Sequence, residues 1–160
     1  QDYFVRWRWQ PTVRDVQFRG AEEARITGAV GEALATAEVI VICPSNPVLS
    51  VAPILAAGGM REALRGRRGV CVAVSPFISG QAVKGPAAKL MPELGMDISP
   101  AGVARYYQGL VDGLVIDSAD ESRASDICIP VLVTGTLMRT DADRARLAHE
   151  VLDWAGSLQR

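Results

Sequence analysis

Polar residues that can hold a phosphate follow the first apolar run of this sequence. After residues 39–43, the sequence Pro-Ser-Asn-Pro supplies the hydroxyl of Ser45 and the amide of Asn46, and Ser50 stands before a helical pattern. Backbone N–H groups at a helix start, together with such side chains, form a cradle for an anion. An ordinary turn capped by Ser50 explains the same residues, and the spacing alone favours that interpretation.

A longer polar loop follows the second apolar run, Val70–Val74. It contains Ser75 and, further on, Lys84 and Gly85, which offer a cation and a backbone that a ligand can approach closely. A lone lysine is more often simply solvated. Phe77, in the same loop, is predicted to be either a core residue or a ring that stacks on an aromatic ligand.

Acidic residues follow the third apolar run, residues 114–116. Asp117, Asp120 and Glu121 carry oxygen ligands that suit a divalent metal ion. Carboxylates at a helix start are also ordinary caps, and we favour the cap.

Four short runs rich in β-branched residues alternate with helical patterns and position these loops. The runs are residues 39–43, 70–74, 114–116 and 129–133, and the helical patterns are residues 50–64, 82–94, 100–110 and 141–158. Because the first two runs are apolar throughout, they are typical of strands covered on both faces of a parallel sheet. The sequence therefore predicts an α/β fold with a mainly parallel sheet flanked by helices. Residues 13–20 are predicted to be an edge strand or a hairpin arm.

The carboxyl ends of parallel strands lie at one edge of a sheet, where open α/β folds bind their ligands. Thr134, which follows the fourth run, joins the other loops at this edge. The predicted substrate-binding residues are Ser45, Asn46, Ser50, Ser75, Lys84, Gly85 and Thr134. No catalytic residue is predicted.

Composition excludes several classes of protein. The chain has 160 residues, of which 49% are apolar, which is enough for one core without an internal domain boundary. Lysine and arginine total 17 against 18 acidic residues, so the chain lacks the basic field of proteins that bind nucleic acid. Its apolar runs span about five residues, against the roughly 20 of a membrane helix. We therefore expect neither nucleic acid nor membrane as a partner.

The cysteines and the single histidine do not have the spacing of a zinc site. Cys43, Cys71 and Cys128 lie in or beside apolar runs without a Cys-x-x-Cys spacing, so we predict buried thiols in a reducing cytoplasm. The single histidine, His149, is predicted to be a surface or half-buried helical residue. The first nine residues lack a signal-peptide pattern and an initiator methionine, which is typical of a chain that begins inside a larger protein.

The loops in their order match one family more closely than any generic motif. The matching segments are Pro-Ser-Asn-Pro at 44–47, Val-Ser-Pro at 74–76, Ala-Val-Lys-Gly-Pro at 82–86, Gly-Val-Ala-Arg-Tyr-Tyr at 102–107, Asp-Gly at 112–113, Val-Ile-Asp at 115–117, and Thr-Leu-Met at 136–138 before an Asp-x-Asp-Arg helix start. In this series the chain resembles the C-terminal half of the 2-phospho-L-lactate transferases of the CofD/FbiA family, over nearly its whole length.

The resemblance implies a cytoplasmic, Mg²⁺-dependent transferase of coenzyme F420 biosynthesis. Members take a guanosine-diphospho-activated 2-phospholactate, or in other members phosphoenolpyruvate, and transfer the phospho-acid to the ribityl hydroxyl of the deazaflavin Fo with release of GMP. The choice between the two acids stays open. A homodimer is expected, because a split α/β sheet leaves apolar surface uncovered.

The resemblance also implies that residues 1–160 are the C-terminal part of a single Rossmann-like transferase domain. The N-terminal nucleotide-fold half, with its metal ligands and catalytic residues, is then absent from this chain, which alone is expected to be inactive. Three positions depart from the family pattern: Ser79 replaces a glycine, Gly59 a proline, and Gly135 an acidic residue. The last departure puts metal or acceptor contacts near Thr134 in doubt.

Two alternatives of other classes stay open. Regulatory proteins of a related fold bind nucleotide sugars, although their loop after the first strand is richer in glycine and hydroxyl residues than residues 44–47 here. The other alternative is a noncatalytic dimerisation or scaffold fragment, which the mass of the intact protein would distinguish.

Overall fold

The four apolar runs form one parallel sheet. The computed structural model describes residues 2–82 and 86–158. In chain order its strands are β1 (Val39–Ile42), β2 (Val70–Val74), β3 (Phe77–Ile78), β4 (Gln81–Ala82), β5 (Gly113–Asp117) and β6 (Val131–Thr134). Strands β1, β2, β5 and β6 are hydrogen-bonded in that order, all in parallel, and β3 and β4 form a separate hairpin. The predicted α/β fold is confirmed.

Side chains of the sheet alternate between two apolar layers. Leu114 and Ile116 of β5 face the larger cluster, whereas Val115 faces the smaller one. All three are fully buried. Burial on both faces explains why these strands are apolar throughout.

Six α-helices, two π-helical turns and one 3₁₀ helix accompany the sheet in the described part of the chain. The helices are α1 (Gly28–Thr36), α2 (Ala52–Ala56), α3 (Met60–Arg65), α4 (Ala87–Glu93), α5 (Pro100–Tyr106) and α6 (Asp141–Ser157). Residues Asp2–Arg6 and Pro47–Val51 form π-helical turns, and Ser118–Asp126 form a 3₁₀ helix. No helix among residues 2–82 and 86–158 is both long and apolar enough to cross a membrane.

Helix α6 begins as predicted, and other helix boundaries differ. Thr140 and Asp143 form a reciprocal capping box at its start. The predicted helix 50–64 is instead two helices, because the chain bends at Gly58 and Gly59. Gly59 has a φ of 88°, and a Cβ at Gly58 would lie 2.7 Å from a backbone oxygen.

Three further segments also differ from the sequence expectations. Residues 82–94 begin with the end of a hairpin, and α4 starts only at Ala87. Residues 13–20 contain no strand and are held by a hydrogen bond from the Val13 N–H to Glu93. Helix α1 was not predicted, since its Ala- and Gly-rich sequence carries a weak apolar periodicity.

The hairpin turns at Ser79 and Gly80, both in the left-handed region. Their φ values are 50° and 72°, as a type I′ turn requires. The Ser79 N–H donates to the buried carboxylate of Asp120 at 2.9 Å, which holds the turn in place.

Replacing Ser79 by glycine is expected to raise the free energy of unfolding by about 1 kcal/mol, because a Cβ is disfavoured at this φ. Denaturant unfolding would measure the gain. Gly80 is the next residue of the same turn, and Gly80→Ala should lower the free energy of unfolding by a similar amount. A loss of stability in Ser79→Gly would show that the serine side chain outweighs the backbone cost.

Strand β1 is an apolar edge strand. Its four residues are Val-Ile-Val-Ile, yet each is only half-buried. An apolar groove of about 490 Å³ runs beside β1 along α6, lined among others by Val41, Leu147 and Val151. Apolar surface therefore continues beyond the part of the sheet that α6 covers.

Candidate functional site

A cavity of about 290 Å³ opens at the carboxyl edge of the sheet. Its lining comes from the loops after β1, β2 and β6 and from the first turn of α6; the polar and central residues are Asn46, Ser75, Thr136, Leu137, Met138 and Arg144. We call it the strand-end crevice. Its place is the one where parallel α/β sheets bind ligands.

Asn46 caps the π-helical turn that follows β1. Its Oδ1 accepts the N–H groups of Val48 and Leu49 at 2.9 and 3.0 Å, and Pro47 suits the first position of the turn. The cap is thus Asn46 and not Ser50. Because Oδ1 serves the turn, Nδ2 is left without an acceptor among the described residues, and this amide can donate to a ligand in the crevice.

Ser75 lies at the floor of the crevice and is 2% exposed. Its N–H donates to the carbonyl of Val115, and its Oγ accepts the Phe77 N–H at 3.3 Å. Phe77 is fully buried, so it is a core residue. Ser75 therefore shapes the crevice chiefly by fixing the chain as it leaves β2.

Asp117 fixes the opposite wall. Its Oδ1 accepts the Ala119 N–H at 3.0 Å, and its Oδ2 accepts both the N–H and the hydroxyl of Thr136, at 2.7 and 3.0 Å. The favoured interpretation as a cap is confirmed. Burial favours the neutral acid, but these donated hydrogen bonds outweigh it and hold the pKa of Asp117 below its ordinary value.

Asp117→Asn is expected to destabilise the protein by about 1–3 kcal/mol at neutral pH, because an amide has one acceptor oxygen and cannot accept the bonds from Ala119 and from Thr136 together. A depressed pKa contributes stability above the unfolded value, about 3.9, and that stability is lost as the pH falls through the folded pKa. The difference in unfolding free energy between the variant and the original protein should therefore become smaller as the pH is lowered. Denaturant unfolding from pH 7 to pH 3 measures it, with the exposed Asp153→Asn as control; a constant difference would contradict the assignment.

Thr134 turns away from the crevice towards α6. Its hydroxyl donates to Glu150, and Arg146 bonds both Glu150 and, at 2.6 Å, the carbonyl of Gly135. These bonds lower the pKa of Glu150, most strongly the one from Thr134. The network holds the loop after β6 at Gly135, whereas Asp117 holds the same loop at Thr136. A Cβ at Gly135 would meet only Arg146, at 3.6 Å, so a larger residue has room there.

The remaining predicted site residues do not meet in the crevice. Ser45 lines the groove beside β1, and Ser50 is exposed beside an apolar hollow on the other face of that strand. Lys84 and Gly85 lie outside the described residues. Of the predicted set, the structure brings together Asn46 and Ser75.

Arg144 is a crevice residue that the sequence reasoning missed. It lies in the first turn of α6, pairs with Asp141, and is the only cation among the described residues of the lining. The Asp-x-Asp-Arg pattern predicts only a helix start, whereas in the structure its arginine lines the same cavity as Thr136 and Met138 of the loop after β6.

The strand-end crevice offers donors and positive charge. None of its described lining residues carries a carboxylate. The backbone N–H groups of Leu137 and Met138 donate to no other described residue. Asn46 Nδ2 and the guanidinium of Arg144, which also pairs with Asp141, add further donors. Such a set suits an anion with several oxygen acceptors, as a phosphate has.

The carboxylates nearest this edge do not form a metal centre. Within residues 2–82 and 86–158, no group of three or more His, Cys, Asp or Glu residues is placed to hold a metal ion. Asp117 and Asp120 already accept backbone N–H groups. The described residues thus do not fit the Mg²⁺ that the resemblance implies.

The cysteines only partly match the expectation. Cys71 on β2 is buried, whereas Cys43 and Cys128 are exposed, so the prediction of three buried thiols is wrong for two. Cys43 follows an edge strand and Cys128 lies in the loop before β6, where apolar neighbours in sequence do not ensure burial. His149 is exposed on α6, as predicted for a surface residue.

The chain is similar to a family of known enzymes. A family model described as 2-phospho-L-lactate transferase CofD matches residues 1–145. The 2-phospho-L-lactate transferase of Methanocaldococcus jannaschii is 38% identical over 157 residues, which cover 98% of this chain and 50% of that protein. Those of Methanosarcina mazei and Halobacterium salinarum are 46% and 43% identical over 122 and 153 residues, which cover 76% and 96% of this chain and 40% and 44% of those proteins.

This chain spans about half the length of the curated relatives that it matches. Among solved structures, the crystal structure of protein BH3568 from Bacillus halodurans superposes with a TM-score of 0.55 at 16% identity, over 80% of this chain and 47% of that one. That likeness shows the same α/β fold.

Proposed function

We propose a function for this chain on the basis of its family, since the chain belongs to the CofD family of 2-phospho-L-lactate transferases. The polypeptide that contains it transfers a phospho-acid from a guanosine-diphospho-activated donor to the deazaflavin Fo. The donor carries 2-phospholactate or phosphoenolpyruvate. Because the relatives are about twice as long, the complete activity belongs to the longer polypeptide, and residues 1–160 are its C-terminal part.

The observation that carries the proposal is the donor set of the strand-end crevice. Asn46 Nδ2 and the Arg144 guanidinium line a cavity that has no carboxylate among its described lining residues. A diphosphate presents several anionic oxygens, and each can accept a charge-assisted hydrogen bond from an N–H donor at such a site. The crevice therefore binds the phosphate part of the activated acid.

The reaction needs positioning and charge stabilisation more than covalent chemistry. The ribityl hydroxyl of Fo forms a bond to the phosphorus that carries the acid, the bond to the nucleotide phosphate breaks, GMP leaves, and the hydroxyl proton passes to solvent. Negative charge gathers on the phosphate oxygens in the transition state, where fixed donors stabilise it. Hydrogen bonds to Asp117 on one side and Arg146 on the other hold the loop that carries Thr136 and Leu137 for this role.

The further partners follow from the same family. We propose Mg²⁺ as a cofactor, which would supply charge neutralisation at the phosphates with ligands outside the described residues. The proposed assembly is a cytoplasmic homodimer, and the half-exposed apolar strand β1 supports it. Sedimentation of the full-length protein would test that assembly.

The test is an assay of the full-length protein with Mg²⁺, Fo and each activated acid in turn. Formation of GMP together with a phosphorylated deazaflavin supports the transferase, and the better donor identifies the acid. Binding of guanosine nucleotides without turnover would favour a regulatory binding protein instead. If neither product forms and no nucleotide binds, the proposal fails.

Arg144→Gln is expected to raise the KM for the activated acid about fivefold, since the guanidinium is more than half exposed and solvent screens its charge. The effect should be larger at low ionic strength than at high ionic strength. Arg139→Gln is the matched control, because that exposed arginine precedes α6 and does not line the crevice. Equal KM values for both variants would remove Arg144 from the site.

A further inference from the structure

A second cavity, of about 520 Å³, lies on the opposite side of the turn that carries Asn46. Its walls come from residues 14–18, from α2 and α3, and from the end of α4 and Tyr106 of α5. Its volume falls in the range of small-molecule sites. We call it the arginine cavity, after Arg14 and Arg61 in its lining.

The arginine cavity is lined by two carboxylates and two guanidinium groups, and among the described residues neither carboxylate pairs with either arginine. Its two carboxylates are satisfied: Asp15 accepts from the Val16 N–H and from Gln17, and Glu93 pairs with Lys89 at 2.6 Å and accepts the Val13 N–H. The bond from Lys89 lowers the pKa of Glu93, so this carboxylate is ionised and already bound to Lys89.

The two cations of the same cavity have no such partners. Neither Arg14 nor Arg61 forms an ion pair or a hydrogen bond with another described residue, although both line the cavity. Tyr106 does not neutralise Arg61, because its hydroxyl donates to the Pro47 carbonyl at 3.1 Å and burial raises its pKa. Arg61 is half-buried and Arg14 is exposed, and a half-buried guanidinium without a counter-ion among the described residues is complementary to an anionic ligand.

The rest of the wall is apolar. Phe18 and Met96 are half-buried, and Val48, from the turn behind Asn46, is almost fully buried. Aromatic and thioether side chains pack well against flat rings. A ligand that fits both features has an apolar, flat body and one anionic group.

We propose that the arginine cavity is a binding site for an aromatic organic anion, whose ring packs between Phe18 and Met96 and whose acidic group pairs with Arg61 and Arg14. This site is distinct from the strand-end crevice, with which it shares only the turn between Asn46 and Val48. The inference does not rest on the proposed transferase function, and each is tested by its own measurement.

The experiment titrates purified protein with 8-anilinonaphthalene-1-sulfonate, followed by its fluorescence, and with the uncharged N-phenyl-1-naphthylamine as a neutral counterpart. The Arg61→Gln variant should bind the sulfonate about fivefold more weakly, and the Arg14→Gln Arg61→Gln double variant more weakly still. Neither change should alter binding of the neutral probe. Arg61 stands in the first turn of α3, where a cation opposes the helix dipole, so its replacement is not expected to unfold the protein.

Two exposed arginines serve as matched controls. Arg65 is on the same helix as Arg61, and Arg19 follows the segment that carries Arg14; neither lines the cavity. Arg65→Gln and Arg19→Gln should leave sulfonate binding unchanged. If Arg61→Gln and Arg65→Gln bind the sulfonate alike, or if the neutral probe loses as much affinity as the anion, the proposed site is overturned. Thermal unfolding of each variant confirms that the folded protein is compared.

Discussion

Replacing Asp112 by asparagine is expected to cost about 3–5 kcal/mol of unfolding free energy, because it takes the carboxylate away from a buried guanidinium. Arg67 is 4% exposed, and its Nη2 donates to Asp112 Oδ2 at 2.6 Å while its Nη1 donates to the Leu64 carbonyl at 2.5 Å. The same carboxylate oxygen accepts the Cys71 N–H at 2.8 Å. One side chain thus ties the end of α3 to the start of β2 and the loop before β5.

Replacing Arg67 and replacing Asp112 are expected to lower the free energy of unfolding by different amounts. Asp112 is partly exposed, so Arg67→Met should cost less than Asp112→Asn, and the double variant Arg67→Met Asp112→Asn should be more stable than Asp112→Asn alone. Denaturant unfolding of all three variants gives the comparison. The neighbouring, exposed Arg68→Met is the control and should lie within about 0.5 kcal/mol of the original protein. Additive costs for the two single changes would mean that the pair is not coupled.

If the proposed transfer takes place, Asn46→Asp should lower kcat/KM of the full-length protein roughly 100-fold, since like charges a few ångströms apart near a protein surface repel by about 3 kcal/mol. The new carboxylate can still accept the N–H groups of Val48 and Leu49, so the turn keeps its cap and the fold its stability. What changes is the group that faces the strand-end crevice, where an amide donor is replaced by an anion. Steady-state kinetics and thermal unfolding, measured on the same sample, separate the two effects.

Asn46→Ala gives the complementary result. It removes the cap and should cost about 1 kcal/mol of stability. Its loss of kcat/KM should be smaller than that of Asn46→Asp, because no charge is added. Ser50→Ala is the matched control in the same turn, since Ser50 is exposed and lies outside the crevice lining, and it should change neither quantity. A fully active Asn46→Asp enzyme would exclude phosphate binding at this turn.

The sheet was predictable because its strands obey local rules. Residues 70–74 match β2 exactly, since a strand buried on both faces is apolar at every position. The start of α6 was equally clear, because a capping box is a pattern within four residues. The helix 50–64 was wrong because its apolar spacing ignored the tertiary contact of Gly58 with Ala24, which breaks it.

The site was less predictable, because it depends on contacts distant in sequence. The order of strands predicted that polar loops meet at the carboxyl edge of the sheet, and Asn46 and Ser75 do line one cavity there; that this edge binds a ligand stays a prediction. Thr134 ends the correct strand, but Glu150 and Arg146 on α6 draw its hydroxyl away. Arg144 lines the crevice together with the loop after β6, a proximity that its position in a helix start does not indicate. Orientation of this kind is set by three-dimensional packing and leaves no local pattern.

The open edge of β1 makes protein concentration a variable of stability. Within residues 2–82 and 86–158, β1 pairs with β2 on one side alone, and a strand with such an open backbone edge and apolar side chains on both faces is a template onto which another strand can add. Association of that kind stabilises the folded chain by mass action, so the midpoint of unfolding of residues 1–160 would rise with concentration instead of staying fixed. The same edge, if it remains unpaired during folding, favours aggregation at high concentration. The sheet that places the crevice therefore also sets the conditions under which this chain stays folded and dispersed.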